Sequence, residues 1–290
     1  MSSAKSLRYS ILDVFAEAPL EGNPLAVVFG AGRLSTAEMQ AIARETNLSE
    51  TTFVLHDAAR DGAWDVRIFT PRHEMPYAGH PTIGTAAAIR ESHLGGRGDA
   101  VGLRLQIGVV PVRFAPDGVV WLESPPARFE EFADRAGVAA ALGLPPSVLD
   151  PALPIEAQRI GPHQLFIPLR DRSAVEAARV DAAQLEKLVA AGAPASLYPF
   201  APGAREPANH YTVRLFAPTG GVPEDPATGS AAGFFGAYLV RHRVHGEGPL
   251  DVRIEQGHAL QRPSLLRVRQ NGSAIQVGGR VIPVARGEWL

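Results

Sequence analysis

With 290 residues, 46% of them hydrophobic, the chain is long enough to bury a substantial core as one large domain or two smaller ones. The formal net charge of −2 is nearly balanced, and no cluster of Lys and Arg marks a surface for nucleic acid or an anionic membrane. There is no cysteine, which excludes disulfides, thiolate metal sites and thiol catalysis. No apolar stretch reaches the ~20 residues of a membrane span, and the first residues lack a signal-peptide pattern, so we expect a cytoplasmic protein.

The first half of the chain alternates predicted strands and helices. Strands are predicted at YSILDVF and NPLAVVFG, followed by a helix over about residues 36 to 44 that begins with a capping box, Ser35 and Glu38. Strands at TTFVL and WDVRIF precede the uncharged run HPTIGTAAAI. RLQIGVVPVRF and VVWLES are predicted strands around a turn at APDG, where Pro116 and Gly118 favour the turn.

The second half begins after proline-rich joints at SPPARF and GLPPSV, which place a domain boundary near residues 118 to 127. GPHQLFIPL and NHYTVRLF are predicted strands, and DAAQLEKLVAAG is a predicted helix with Asp181 as its N-cap. Near the end of the chain, Asn271-Gly272 between apolar segments predicts a hairpin.

One stretch of the chain occurs twice. WDVRIFTPRHEMP, residues 64 to 76, aligns with YTVRLFAPTGGVP, residues 211 to 223, at an offset of 147. The matched residues are Val66, Arg67, Phe69, Pro71 and Pro76 with Val213, Arg214, Phe216, Pro218 and Pro223. Because a run of small residues follows each copy, we interpret the pattern as a duplication that gives two similar domains facing each other.

The run behind each copy carries no charged side chain, from His80 to Ile89 and from Ala227 to Val240. A helix without a polar face is surrounded by protein, so each run predicts the central helix of its domain. Both runs begin with small residues and Thr, which leave N–H groups accessible at a positive helix end that favours anions. Related by a pseudo-twofold axis, the two starts would converge on one cleft and hold a small carboxylate, with Asp225 ionised beside it.

Several segments resemble those of the phenazine-biosynthesis PhzF-like isomerases, which share the diaminopimelate epimerase fold. They are EGNPLAVV, NLSETTFV, RIFTP, AGHPTIGTA, EDPATGSA and QG followed by RPS, and the resemblance runs from about residue 8 to the C-terminus. It implies an α+β protein of two pseudo-symmetric domains, each a curled, mostly antiparallel, barrel-like β-sheet around a central helix. We expect residues 1–117 with 279–290 in the first domain and 118–278 in the second, an active site between them, and a homodimer.

The resemblance also implies the chemistry. PhzF-like isomerases move a proton on a cyclohexadiene amino acid, dihydro-hydroxyanthranilate, without cofactor or metal, and their general acid/base corresponds to Glu50 in NLSET. Partial burial before the apolar TFVL would suit this role by raising the affinity of Glu50 for protons. Judged from position alone, a glutamate just before a strand is more often a solvated loop residue than a catalytic one. In the epimerases proper, two cysteines at the helix starts are acid and base, but here Asp225 takes the second position, so two-thiol racemisation is unavailable.

Two further catalytic candidates have plain structural alternatives. His80 corresponds to a substrate contact, and it is equally typical of a hydrogen-bonding residue at a helix start, where the positive end disfavours its protonation. Asp225 corresponds to a ligand contact and proton-relay partner, or it is a simple N-terminal cap. Carried over as substrate-binding residues are Gly79, Pro81, Thr82, Ala227, Thr228, Gly229, Ser230, Gln256 and Gly257. If they do not bind substrate, small residues such as Ser230 indicate close packing of the helix. Gln256 and Gly257 would then form only a turn between strands.

Other sites have little support in the sequence. His242 and His245 in HRVH have no fitting further ligand nearby, so we interpret them as a basic, solvated helix end rather than a metal site. Neither a GxGxxG nor a Walker A sequence is present, and no nucleotide cofactor is expected. The sequence therefore favours a cofactor-independent isomerase acting on a small, carboxylate-bearing, cyclic amino-acid-like metabolite, with no nucleic-acid or membrane partner. The alternatives are a racemase or dehydratase of proline-type substrates and a non-catalytic metabolite-binding protein.

Overall fold

A computed structural model describes residues 6–218 and 222–289 and shows a mixed α+β protein, which confirms the predicted fold class. The α-helices of this part of the chain are α1 (Thr36–Thr46), α2 (Gly79–Leu94), α3 (Arg135–Ala141), α4 (Arg172–Ala177), α5 (Ala182–Ala190) and α6 (Gly229–Arg241). Helix α2 contains the first uncharged run of the sequence, and α6 begins two residues into the second.

The chain divides into two compact units. The first is Met1–Glu123 with Gly278–Leu290, and the second is Ser124–Val277. The break expected between residues 117 and 118 thus lies six residues later, because Val120–Glu123 forms a strand that pairs with Gly108–Phe114 of the first unit. The proline-rich joint that begins at Ser124 follows immediately.

The strands of the first unit form a mostly antiparallel sheet. They are β1 (Leu7–Val14), β2 (Asn23–Phe29), β3 (Glu50–Val54), β4 (Ala63–Phe69), β5 (Glu74–Met75), β6 (Ala100–Leu105), β7 (Gly108–Phe114), β8 (Val120–Glu123) and β19 (Val281–Trp289). The pairing order is β19-β1-β2-β3-β4-β6-β7-β8, in which β2–β3 and β4–β6 are parallel and the other pairs antiparallel. Helix α2 contacts β1, β2, β3, β6, β7, β8 and β19, so the sheet curls around it.

The second unit has strands β9 (Phe129–Glu131), β10 (Glu156–Gln158), β11 (Leu165–Pro168), β12 (Leu197–Pro202), β13 (Tyr211–Val213), β14 (Leu215–Ala217), β15 (Val222–Asp225), β16 (Asp251–Gln256), β17 (Ser264–Asn271) and β18 (Ala274–Gly279), the last of which ends across the unit boundary. Its sheet runs β9-β10-β11-β12-β13-β16-β17, with β11–β12 and β13–β16 parallel. The aromatic rings of Phe235 and Tyr238 on α6 contact rings on β11 and β12, and Gly236 lies against Val268 of β17.

The two units repeat the same chain path. In each, one parallel strand pair is joined across outer helices, by α1 in the first unit and by α4 and α5 in the second. The other parallel pair is joined across the central helix, as β4-α2-β6 and as β13-α6-β16. This shared order supports the duplication inferred from the sequence.

An arginine, a phenylalanine and a glutamate form the same arrangement in both units. Arg67 donates two hydrogen bonds to the carboxylate of Glu74, at 2.8 and 2.6 Å, and its guanidinium lies over the ring of Phe69. Arg214 likewise donates to Glu224 at 2.8 and 2.7 Å and lies over the ring of Phe216. In each unit the glutamate precedes the first residue of the central helix by five positions, so the pair anchors the approach to that helix.

This arrangement corrects the sequence alignment at one point. The offset of 147 holds for Arg67 and Arg214 and becomes 150 for Glu74 and Glu224. Strand pairing agrees, because Ile68 is opposite Met75 and Leu215 is opposite Asp225. The alignment of Pro76 with Pro223 is therefore wrong: the turn of the second copy is three residues longer, and Pro76 corresponds to Pro226.

Several local predictions are confirmed. Helix α1 has the capping box of Ser35 and Glu38, and the Asp181 side chain accepts from the N–H of Gln184 at the start of α5. The turn at Ala115–Gly118 closes with a 3.0 Å hydrogen bond, and Asn271 ends β17 while Gly272 lies in the turn before β18. A further turn between β6 and β7, at residues 106 and 107, is not predicted, since apolar residues continue on both sides of it.

Candidate functional site

Three residues of the first unit meet at the start of α2. Glu50 is the first residue of β3, Asn23 the first of β2, and His80 the second residue of α2. Nε2 of His80 lies 3.3 Å from Oε2 of Glu50, and Nδ1 of the same ring lies 3.2 Å from Nδ2 of Asn23. We call Asn23, Glu50 and His80 the first cluster.

Strand pairing places these residues together. Strands β2 and β3 are parallel and in register, with Leu25 opposite Glu50, so both strands begin at the same edge of the sheet. Helix α2 is fastened to β3 by a buried hydrogen bond from the Thr85 hydroxyl to the Thr52 hydroxyl, 2.7 Å long. The start of α2 therefore lies next to the starts of β2 and β3.

Burial sets the charge of the first cluster. The His80 side chain is 5% exposed, and burial lowers the pKa of the imidazole from 6.5 to about 3. The sequence predicted the direction of this shift from the helix end, whereas its main cause is desolvation. His80 is neutral near pH 7, so its contact with Glu50 is not an ion pair.

Glu50 is partly exposed. Its side chain is 16% exposed, as the partial burial predicted for the start of a strand. In the described part of the chain, Nε2 of His80 has no well-formed hydrogen bond, although Glu50 is close. Contacts of this kind in unliganded enzymes often tighten only when substrate binds.

The start of α2 has N–H groups that no side chain caps. Its N-cap residue, Ala78, has no side chain that can cap the helix, and Pro81 contributes no N–H. The hydroxyl of Thr82 donates back to the carbonyl of Ala78 at 2.6 Å, and its N–H bonds to the same carbonyl. The N–H groups of Gly79 and His80 are thus the donors at this helix end.

The second unit has a separate polar group at the start of α6, formed by Asp225, Thr228 and Gln256, which we call the second cluster. The Thr228 hydroxyl donates to Oδ2 of Asp225 at 2.5 Å, and Oε1 of Gln256 accepts from the N–H of Thr228 at 3.1 Å. The amide of Gln256 donates to the Asp225 carbonyl at 2.8 Å. Asp225 is buried but does not cap the helix, because the N-cap residue is Thr228.

Gly257 has a backbone conformation and surroundings that only glycine fits. Its φ is +81°, and a Cβ there would lie 2.2 Å from the carbonyl oxygen of Arg262 and 2.6 Å from that of Pro226. The segment that follows Gln256 therefore contacts the segment that leads into α6. Gln256 and Gly257 are more than a turn between strands: they connect β16 to the second cluster.

The remaining predicted residues lie in the first turn of α6 or next to it. Gly229 and Ser230 are its first two residues and are buried, and Ala227 is fully buried before it. No side chain caps this helix start, so its first N–H groups have the same character as those of α2. Ser230 occupies the position in α6 that His80 occupies in α2.

The helix end at HRVH is largely exposed, as the sequence predicted, and both of its histidines have a polar partner. His242 lies 2.9 Å from Oε2 of Glu156, a carboxylate buried to 3% exposure, and Nε2 of His245 lies 2.8 Å from the Tyr211 hydroxyl. Burial lowers the pKa of His245, with a further contribution from nearby His210. Among the described residues, no group of three or more His, Cys, Asp or Glu is arranged to hold a metal ion. In the same part of the chain, no helix is long and apolar enough to cross a membrane.

Sequence reasoning missed Asn23. It stands inside the EGNPLAVV segment that carries the family resemblance, which was the available signal, yet its role comes from a contact with a residue 57 positions away. The first cluster offers a carboxylate able to accept and return a proton beside a neutral imidazole. The second offers a carboxylate and amide groups able to bind polar atoms of a ligand.

Comparison with known proteins gives one consistent result. The family described as "Phenazine biosynthesis-like protein" matches residues 12–287. A trans-2,3-dihydro-3-hydroxyanthranilate isomerase from Pseudomonas aeruginosa is 39% identical over 289 residues, which cover 97% of this chain and 98% of that protein.

Solved structures agree. A PhzF-family phenazine biosynthesis protein from Bacillus anthracis has a TM-score of 0.87 at 26% identity, covering 99% of both chains. A predicted epimerase from Pseudomonas aeruginosa has a TM-score of 0.83 at 34% identity, covering 98% of this chain and 99% of that one.

Proposed function

Because the chain is an isomerase of the PhzF family of phenazine biosynthesis-like proteins, we propose that it moves a carbon-bound proton on a small carboxylate-bearing, cyclic amino-acid-like metabolite. We also propose that this proton transfer needs no cofactor. The observation that carries it is the Glu50 carboxylate, which is partly exposed and lies 3.3 Å from an uncharged His80.

Glu50 is the proposed general acid/base. Its carboxylate removes a proton from one carbon of the substrate, the electron pair shifts through the neighbouring double bond, and the resulting carboxylic acid returns the proton to another carbon. Atoms and charge balance without an external reactant. Such a step requires a carbon acid whose C–H bond is activated by an adjacent unsaturated group, as in a cyclohexadiene amino acid.

His80 supports this chemistry by staying neutral. A protonated imidazole 3.3 Å from Glu50 would stabilise the carboxylate and weaken it as a base, whereas a neutral ring can hydrogen-bond without adding charge. The low pKa of about 3 keeps His80 from competing for the transferred proton near pH 7.

The second cluster is the proposed recognition element. Asp225, already bonded to Thr228, is suited to an ammonium or hydroxyl group of the substrate and to a role as a proton-relay partner. The N–H groups at the uncapped start of α2 or of α6 are suited to its carboxylate. The residues proposed to contact substrate are Gly79, Pro81, Thr82, Ala227, Thr228, Gly229, Ser230, Gln256 and Gly257.

The experiment that tests the function is deuterium exchange. Small cyclic amino and hydroxy acids, beginning with the substrate named for the Pseudomonas aeruginosa relative, are incubated with the protein in D₂O and followed by proton NMR. We expect catalysed exchange or migration of a carbon-bound proton for at least one of them. Tight binding without exchange for every compound would contradict the proposal and favour a metabolite-binding protein.

A further inference from the structure

The contact between Asn23 and His80 determines where the imidazole carries its proton. The Asn23 side chain is fully buried, at 0% exposure, and its amide nitrogen lies 3.2 Å from Nδ1 of His80. An amide nitrogen is only a donor, so Nδ1 has to accept. A neutral imidazole with an accepting Nδ1 carries its single proton on Nε2.

We infer that Asn23 is a positioning residue that holds His80 in the Nε2–H tautomer and thereby places an N–H donor 3.3 Å from Oε2 of Glu50. Resting on the proposed function, this inference assigns Asn23 a part in the proton transfer that no sequence motif identifies. Asn23 acts through His80.

The opposite tautomer would change the first cluster electrostatically. With the proton on Nδ1, the lone pair of Nε2 would lie close to the Glu50 carboxylate, whose Oε2 is 3.3 Å away. Two acceptors so close repel each other, and the repulsion is relieved when Glu50 binds a proton. The carboxyl group would then stay protonated at a higher pH and be unavailable as a base.

Neighbouring structure keeps the three side chains in place. Asn23 is opposite Val14 in the β1–β2 pair and precedes Pro24, so the backbone on both sides of it is constrained. The Thr85–Thr52 hydrogen bond fixes α2 on β3. The packing of β2, β3 and α2 therefore fixes the Asn23–His80 contact that sets the tautomer.

The tautomer can be read directly by NMR. In ¹⁵N-labelled protein, long-range ¹H–¹⁵N correlation spectra distinguish a protonated from an unprotonated ring nitrogen, and His80→Gln identifies the His80 signals among those of the nine histidines. We expect the wild-type ring to show a protonated Nε2 and an unprotonated Nδ1. In Asn23→Asp, the carboxylate accepts from the ring, so the proton should move to Nδ1.

Activity supplies the second readout. With a confirmed substrate, Asn23→Asp should lower kcat by at least about tenfold, since a histidine in the wrong tautomer costs up to ~10⁴-fold in a known catalytic triad. As the pH is lowered, kcat of Asn23→Asp should fall at a higher pH than kcat of wild type, because Glu50 is protonated at a higher pH in the variant. The control is Asn271→Asp, the same substitution at an exposed asparagine at the end of β17. It should leave the tautomer unchanged.

The outcomes separate this inference from the proposed function. A wild-type ring with its proton on Nδ1, or an Asn23→Asp ring unchanged from wild type, would overturn it whatever the reaction is. The predicted tautomers without any proton-exchange activity would confirm that Asn23 sets the tautomer of His80 and reject the proposed function. If Asn23→Asp does not fold, the wild-type spectrum alone decides.

Discussion

Nε2 of His80 lies 3.3 Å from Oε2 of Glu50, and burial prevents the two from forming an ion pair because it lowers the pKa of the imidazole to about 3. A histidine and a carboxylate at this distance are ordinarily read as a salt bridge. Here the imidazole is neutral, so it adds no positive charge beside the proposed base.

The stability of the protein should depend on pH through His80. Unfolded, the imidazole binds a proton below about pH 6.5, whereas the folded ring binds one only near pH 3. The contribution of His80 to the free energy of unfolding is complete above pH 6.5. It is lost as the pH falls from 6.5 to about 3, by about 1 kcal/mol per pH unit. His80→Gln should therefore show a shallower loss of unfolding free energy between pH 6.5 and 4 in urea titrations, while exposed His73→Gln should follow wild type. Parallel curves for wild type and His80→Gln would contradict the buried neutral state.

The repeated Arg–Glu pairs should differ in their contributions to stability. Arg214 and Glu224 are 7% and 12% exposed, and Arg214 also donates to the carbonyl of Ala178 at 2.7 Å. Arg214→Met leaves a buried carboxylate without its partner and should lower the free energy of unfolding by about 3 kcal/mol or more.

The matched change in the other unit is Arg67→Met. Arg67 and Glu74 are 25% and 21% exposed, so water can solvate the remaining carboxylate, and we expect a loss of about 1 kcal/mol. Denaturant unfolding followed by circular dichroism measures both. Equal losses would show that the burial of the Arg214 pair has no energetic consequence.

Much of the fold follows from local sequence. Ser35 and Asp181 mark helix starts because a side-chain oxygen satisfies N–H groups only two or three residues away. The uncharged runs predict central helices because every face of α2 and α6 is covered. Each of these signals depends on residues within one helix, so it can be recognised in a single sequence.

The register of the second copy and the partner of His80 could not be predicted. A turn that is three residues longer shifts the offset from 147 to 150, and no single residue marks where the extra length enters. Asn23 meets His80 only because the starts of β2, β3 and α2 share one edge. Glu50 was identified by motif resemblance, because a glutamate at the start of a strand does not by itself predict that His80 lies next to it.

Gly257 should not tolerate a side chain. Gly257→Ala would combine a φ of +81° with a Cβ 2.2 Å from the Arg262 carbonyl oxygen, and we expect a loss of roughly 3 kcal/mol. Gly246 is a matched control with a φ of +77° and no atom within 4 Å of the added Cβ, so Gly246→Ala should cost only about 1 kcal/mol. Thermal unfolding of the two variants separates steric overlap from backbone strain, and equal losses would count against the close approach of Gly257 to Pro226.

The uncapped helix starts should bind an anion. In a crystal grown with sulfate or a small carboxylate, we expect the anion within hydrogen-bond distance of the N–H groups of Gly79 and His80 or of Gly229 and Ser230. Anions bound only at exposed arginines, with both helix starts occupied by water, would remove the basis for placing the substrate carboxylate there.

The most direct test of the account is the rate of carbon-bound proton exchange in Glu50→Gln. Glutamine keeps the size and hydrogen-bonding capacity of the side chain but cannot take the proton, so exchange on a confirmed substrate should fall by about a hundredfold to ten-thousandfold while binding survives. Glu45→Gln, a change at an exposed position of α1, should exchange at the wild-type rate. An exchange rate for Glu50→Gln equal to that of wild type would contradict the assignment of Glu50 as the acid/base.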